Sequence, residues 1–211
     1  MRHLSGFDAL FVYDDGPLES QHTIKVCFLS EEASRGYDFA SAKANLGTRL
    51  VRIPPLRWQV ARIPFDVHHP VWIEAEAIDL DHHVRRRRLP EAAGRDELCR
   101  AISEIATEVL DPARPLWETW FLDGYEGDKV VIVLKVSHAL ADGGSFVDLF
   151  ERAMFAHPTE PDVAAKIDRD IADAIPPLEA RPGRLKLFLL GAGQLLRDIF
   201  IRMPRLLGAT L

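Results

Sequence analysis

The chain is poor in cysteine. Only Cys27 and Cys99 occur among its 211 residues, which excludes a disulfide framework and a cysteine-built zinc module. Both lie in apolar or amphipathic runs, so buried free thiols are predicted, and such usage fits a reducing, cytoplasmic setting. No stretch reaches the roughly 18 consecutive apolar residues of a membrane-spanning helix. The apolar opening over residues 7–13 is interrupted by Asp8 and followed by Asp14 and Asp15, which is not the pattern of a secretory leader. A glycine-rich phosphate loop is missing. Positive charge is in deficit, with a net charge of −6, and this excludes bulk binding to nucleic acid.

Hydrophobic residues make up 47% of the chain and charged residues 27%, enough for a sizeable core in one domain with an appendage. Charge is unevenly spread. Residues 181–211 hold Arg181, Arg184, Lys186, Arg197, Arg202 and Arg205 against Asp198 alone, a net of +5, so residues 1–180 carry −11. The predicted organisation is a body over 1–157, a linker over 158–183 rich in Pro, Ala and Asp, and a basic amphipathic helix over 184–211.

Periodicity predicts strands over 23–29, 57–63, 71–78, 117–122 and 129–138. In the first, Ile24, Val26 and Phe28 share a face; the second and third are expected to be neighbours; the last is near-continuously apolar and so central in its sheet. Helices are predicted over 39–51, ending before Pro54 and Pro55, over 97–110, with Leu98, Ile102, Ile105, Ala106 and Val109 in one stripe, and over 145–155. Interleaved strands and helices argue an α/β or α+β sandwich with one mixed sheet.

Alternation along residues 129–138 puts Val130, Ile132, Leu134, Val136 and His138 on one face. His138 ends an otherwise apolar row, where the strand gives way to Ala139-Leu140-Ala141-Asp142-Gly143-Gly144. An imidazole at the edge of a low-dielectric core can stay neutral and accept a proton. Asp142 can fold back on the same turn, and Gly143 and Gly144 permit backbone geometry closed to other residues. A satisfied structural histidine and an ordinary Asp-Gly turn are the plain alternatives. Ser137 adjoins His138 but points to the opposite face, so a Ser-His-Asp triad is excluded.

The segment Ser137 to Gly143 resembles the His-His-x-x-x-Asp-Gly motif of the CoA-dependent acyltransferase superfamily, which includes chloramphenicol acetyltransferase, carnitine acyltransferases and peptide-synthetase condensation domains. Three further segments, in order, narrow the resemblance: Leu4-Ser5-Gly6-Phe7-Asp8-Ala9-Leu10-Phe11; Asp79-Leu80-Asp81-His82-His83-Val84-Arg85 with Leu89-Pro90; and Leu110-Asp111 with Arg114-Pro115-Leu116-Trp117-Glu118. Together they resemble the bacterial wax ester synthase/acyl-CoA:diacylglycerol acyltransferase family over roughly residues 4–150. The resemblance implies a chloramphenicol acetyltransferase-like fold, a mixed-sheet two-layer sandwich forming one half of a two-half enzyme. It implies His138 as general base, drawing the proton from a hydroxyl of diacylglycerol or a long-chain alcohol that attacks acyl-CoA, with no covalent intermediate and no cofactor beyond the acyl-CoA co-substrate. Asp142 is then mainly structural, Gly143 and Gly144 permit the turn, and Pro115, Leu116 and Trp117 are candidates for the substrate tunnel or, equally, core packing.

Two departures accompany the resemblance. Ser137 stands where the motif has its first His. Members of the family are also about twice as long, so a C-terminal half is expected as a separate or cleaved chain. The basic tail reads either as the helix packing on that half or as a membrane-surface or lipid-droplet contact. Bends are expected near Gly191 and Gly193. Arg85–Arg88 reads as a solvated face on an edge strand or loop, with phosphate binding as the alternative. His68-His69 and His82-His83 read as surface or turn histidines and not as metal ligands. Alternatives to the O-acyltransferase reading are a non-catalytic lipid-binding or scaffold half, and a condensation-type acyltransferase using carrier-bound acyl groups.

Overall fold

The computed structural model describes residues 1–16, 19–50, 53–140 and 181–203. The predicted helix over 145–155, most of the linker, and Asp142, Gly143 and Gly144 lie outside the described residues.

Four strands, β2 (His22–Phe28), β5 (Val84–Ala93), β6 (Trp117–Tyr125) and β7 (Lys129–Ser137), form a sheet in the order β2-β7-β6-β5. The near-continuously apolar β7 is indeed internal. It pairs antiparallel with β2 and β6, whereas β5 and β6 are parallel. A parallel pair needs a crossover, supplied by α5 (Arg95–Thr107) between them. The sheet is therefore mixed, as the interleaved pattern implied.

A single sheet was expected and two are present. Strand β3 (Trp58–Ala61) pairs with β4 (Val71–Glu74), as predicted, but the third partner is the two-residue β1 (Arg2–His3), in the order β1-β4-β3. The reason is that this small sheet buries apolar side chains on both faces. Trp58, Val60 and Trp72 join the main core, while Ala61, Ile63, Val71 and Ile73 build a separate cluster with Leu187. A hairpin apolar on both sides has to be a layer of its own.

The two faces of the large sheet follow the alternation of β7. Val130, Ile132, Leu134 and Val136 lie in the main core with Trp117, Phe121 and Leu46. Val131 and Val133 pack with Leu98, Ala101 and Ile105 of α5, joined by Ile24 and Val26 of β2. Phe28, expected on that face, is largely exposed at the strand end beside Tyr125. Helix α3 (Phe39–Leu50) covers the main core and stops short of the Pro54–Arg57 turn. The first helix, α1 (Gly6–Asp14), is not evident from periodicity because Asp8 breaks its apolar run. Asp8 is in fact an N-terminal capping partner: its N–H donates to the Ser5 hydroxyl at 3.0 Å. The short α2 (Glu31–Arg35) and α4 (Leu80–His83) complete the body.

Neither cysteine is buried as expected: Cys27 is half-buried and Cys99 is exposed. Cys99 follows the buried Leu98 on α5 and is rotated off its inward stripe. Helix α6 (Arg184–Arg197) continues into a π-turn at Asp198–Arg202. It lies on the small sheet at Gly191, where a Cβ would collide with Ile63 Cγ2. Glycine is therefore a close-approach residue here. Among the described residues no helix is long and apolar enough to cross a membrane.

Candidate active site

His138 is the first residue beyond β7. Its backbone N–H donates to the Gln21 carbonyl at 3.0 Å, which extends the β2–β7 pairing by one residue and pins the histidine to the sheet edge. Thr23, on β2 opposite Val136, shares the main-core face with it. The Thr23 hydroxyl oxygen lies 3.1 Å from His138 Nε2. The ring of Phe11, from α1, is 5.3 Å from the imidazole, and Phe7 meets Phe11 edge-on at 5.1 Å. The imidazole is half-buried between a hydroxyl, an aromatic ring and the apolar row behind it. That is a setting for a proton acceptor with an oriented ring. Thr23 and Phe11 were not legible in the sequence, since neither the β2–β7 register nor the docking of α1 follows from local pattern.

Ser137 is fully buried and pairs across the ladder with His22, whose Nε2 is 2.8 Å from the Ala106 carbonyl of α5. It therefore faces away from His138, as alternation required. Its hydroxyl accepts the Ala139 N–H at 3.2 Å, and its carbonyl accepts that of Leu140 at 3.0 Å. Ser137 thus holds the turn that follows the histidine.

Pro115, Leu116 and Trp117 are all buried. The Leu116 carbonyl accepts the Ser137 N–H at 3.0 Å. Trp117 spends its indole N–H on the Leu56 carbonyl at 2.7 Å. These residues form a packed wall beside the end of β7 and present no open surface.

His82 and His83 part company. His82 is partly accessible, 3.9 Å from Glu118. His83, expected at the surface or in a turn, ends the helical turn α4 and is only 1% exposed. It stacks on Trp117 at 4.5 Å with Nδ1 2.8 Å from the Trp117 carbonyl. That burial pushes the imidazole down to about 4. A histidine after a helical turn and before a strand looks local in sequence, but its ring direction is set by β6. Arg114 ties the same region together, bonding Asp79 at 2.8 Å and Asp111 at 3.3 Å. Its hydrogen bond, with two backbone N–H groups, holds the Asp79 carboxyl below the usual range. The segments around Asp79–Arg85 and Leu110–Glu118 are thus clipped to each other, and the segment around Leu4–Phe11 delivers Phe11 to His138.

The Arg85–Arg88 run lies on β5, an edge strand, as expected. Arg85 bonds the His82 carbonyl at 2.8 Å and lies over Trp120. Arg86 pairs with Asp123 and Arg87 with Glu104. Arg88 has no carboxylate partner among the described residues. Three of the four are therefore occupied within the chain. His68 pairs with Asp198 of the π-turn at 3.1 Å, and no group of three potential metal ligands converges among the described residues.

On the α5 side of the sheet, Lys135 is fully buried within β7, a residue the apolar reading of this strand passed over. Its ammonium donates to the Ile105 carbonyl at 2.8 Å and to that of Glu108, capping the end of α5, where cations are favoured. Burial lowers its pKa, opposed by the buried Glu118 directly across the ladder.

The chain is similar in sequence and in fold to known proteins. Two relatives from Mycobacterium tuberculosis H37Rv are provisionally named diacylglycerol O-acyltransferases. Rv0221 is 36% identical over 155 residues, covering 73% of this chain and 33% of its own. Rv3087 is 32% identical over 195 residues, covering 88% and 41%. The chain thus spans about a third to two-fifths of the length of these relatives. Among solved structures, the wax ester synthase/diacylglycerol acyltransferase of Marinobacter aquaeolei VT8 superposes with a TM-score of 0.61 at 27% identity, over 72% of this chain and 36% of that one. The starter condensation domain of rhizomide synthetase shares the fold, with a TM-score of 0.51 at 15% identity over 91% and 43%. The profile of the wax ester synthase/diacylglycerol acyltransferase catalytic domain matches residues 4–207, and on that match the chain belongs to this family.

Proposed function

We propose that this chain carries the proton-accepting half of an O-acyltransferase that moves a long-chain acyl group from acyl-CoA to a hydroxyl of diacylglycerol or a long-chain alcohol. The observation that carries the reading is the placement of His138: at the end of the apolar row of β7, half-buried, with Thr23 at its ring nitrogen. The imidazole takes the acceptor's hydroxyl proton as the oxygen attacks the thioester carbon. The tetrahedral intermediate collapses, the C–S bond breaks, and the CoA sulfur leaves with the proton from the imidazolium. An ester and free CoA result, with no covalent enzyme intermediate and no cofactor.

The remaining surface for acyl-CoA comes from chain beyond this half, on the same or a separate polypeptide, consistent with the greater length of the relatives. Acceptors of this class reside in lipid, which places the reaction at a lipid–water boundary.

The test is acyl-CoA turnover by the assembled enzyme, read as CoA release that requires a hydroxyl acceptor. His138→Ala is expected to lower it by a factor of about 10²–10⁴ without loss of folded protein. Undiminished turnover in His138→Ala, or turnover with acyl-carrier protein in place of acyl-CoA, overturns the proposal.

A further inference from the structure

The core face of the large sheet ends differently at its two ends. Along β7 the apolar row runs from Val130 to Val136 and leads to His138. The start of that row, roughly 25 Å from the histidine at about 3.3 Å per residue, borders a polar cavity of about 300 Å³. Alternation on β5 and β6 turns Arg86, Arg88 and Asp123 to this same face. Arg35, the last residue of α2, and Tyr37 just beyond it supply the other wall. Both strands break register here, β5 after Arg88 and β6 after Asp123. Such bulges re-aim side chains out of the ladder.

Two buried polar atoms in the cavity wall are unpaired. Asp123 is 7% exposed, and its Oδ2 is taken by Arg86. Its Oδ1 is buried with no hydrogen-bond partner among the described residues, and the same holds for the Tyr37 hydroxyl. Tyr37 stacks on Phe121 at 5.6 Å, which fixes its ring. Burial, and then the charge of Asp123, raise its phenol, so it stays a donor. Buried polar groups left unpaired are costly. A hydroxyl placed between these two would donate to Asp123 Oδ1 and accept from Tyr37.

Charge narrows the ligand further. Three guanidiniums line the cavity against two carboxylates, Asp123 and Asp128. Arg86 is spent on Asp123, whereas Arg35 and Arg88 have no carboxylate partner among the described residues. Two free planar forks of donors match a phosphate monoester, which carries three acceptor oxygens and nearly two charges. Asp128, on the β6–β7 turn, is an acceptor for a second hydroxyl.

From these features we infer that the cavity is a binding site for a small phosphorylated polyol, its phosphate held by Arg35 and Arg88 and its hydroxyl bridging Tyr37 and Asp123. The length of β7 separates this site from His138, and the inference does not rest on the acyl-transfer reading.

The test is calorimetric titration of the full-length protein with glycerol 2-phosphate, ribose 5-phosphate and inorganic phosphate. Both esters are expected to bind at one site per chain, about tenfold tighter than inorganic phosphate through the two hydrogen bonds of the hydroxyl. Arg35 and Arg88 are exposed, so Arg35→Ala with Arg88→Ala should leave the unfolding midpoint unchanged and weaken all three ligands at least about tenfold. Tyr37→Phe keeps the ring on Phe121 and should weaken the esters alone, about threefold. His138→Ala should bind like wild type. The inference is overturned if neither ester binds, if the arginine variant binds as well as wild type, or if Tyr37→Phe does not separate the esters from inorganic phosphate. It is also overturned if adenosine 3′,5′-bisphosphate, the polar end of CoA, binds this cavity more tightly than either ester, because the cavity then belongs to the acyl-CoA route.

Discussion

The buried His83 makes the stability of this chain depend on pH in a way that one substitution can isolate. Its imidazole is lowered from the usual 6.5 to about 4, first by burial, then by the neighbouring His82; the bond to the Trp117 carbonyl and the charge of Glu118 oppose the shift. Between those two values the unfolded chain binds more protons than the folded one. Stability is therefore complete above about pH 6.5 and declines as pH falls toward 4. The full shift corresponds to about 3 kcal/mol, of which about 2 kcal/mol is lost between pH 7 and pH 5. His83→Phe keeps a ring on Trp117 but leaves the carbonyl without its partner, a loss of about 1–2 kcal/mol at pH 7. Urea unfolding followed by tryptophan fluorescence should show the variant less stable than wild type at pH 7, with the gap narrowing by about 2 kcal/mol at pH 5. His3 and His22 are also lowered, but they are present in both proteins and cancel in the comparison. A gap independent of pH would refute the reasoning.

Removing the Thr23 hydroxyl while keeping its shape, Thr23→Val, should lower turnover of the assembled enzyme about three- to tenfold through loss of one hydrogen bond to His138. Thr23→Ser should restore it, and rescue by serine separates an orienting role from simple packing. Lys135→Met should cost about 3–5 kcal/mol in urea unfolding, because it strips the cap from α5 and removes the cation that lies directly across the ladder from the buried Glu118. Combining it with Glu118→Gln should recover part of that loss, and strict additivity of the two changes would show that they are not coupled.

Much of the architecture is written in local pattern. The period-two run of β7 defines both the central strand and the face to which His138 belongs, and by itself it excludes a Ser137–His138 pair. The 3.6-residue stripe of α5, and the stop of α3 before two prolines, are equally local. The ordered segments from Leu4 to Asp142 pointed to the family because family identity resides in residue type and spacing. Other features depend on which elements meet. That the β3–β4 hairpin forms a second sheet follows from its two apolar faces each finding a partner, one of them α6. His83 is buried because β6 lies beside it, and Lys135 is tolerated in a core strand because the carbonyls of α5 end above it. Thr23 reaches His138 only through the register of β2 against β7. Local pattern is enough to set the strand and the face on which His138 stands. Tertiary structure alone decided what surrounds that residue, because hydrogen-bond partners and burial are properties of neighbours distant in sequence, which periodicity does not encode.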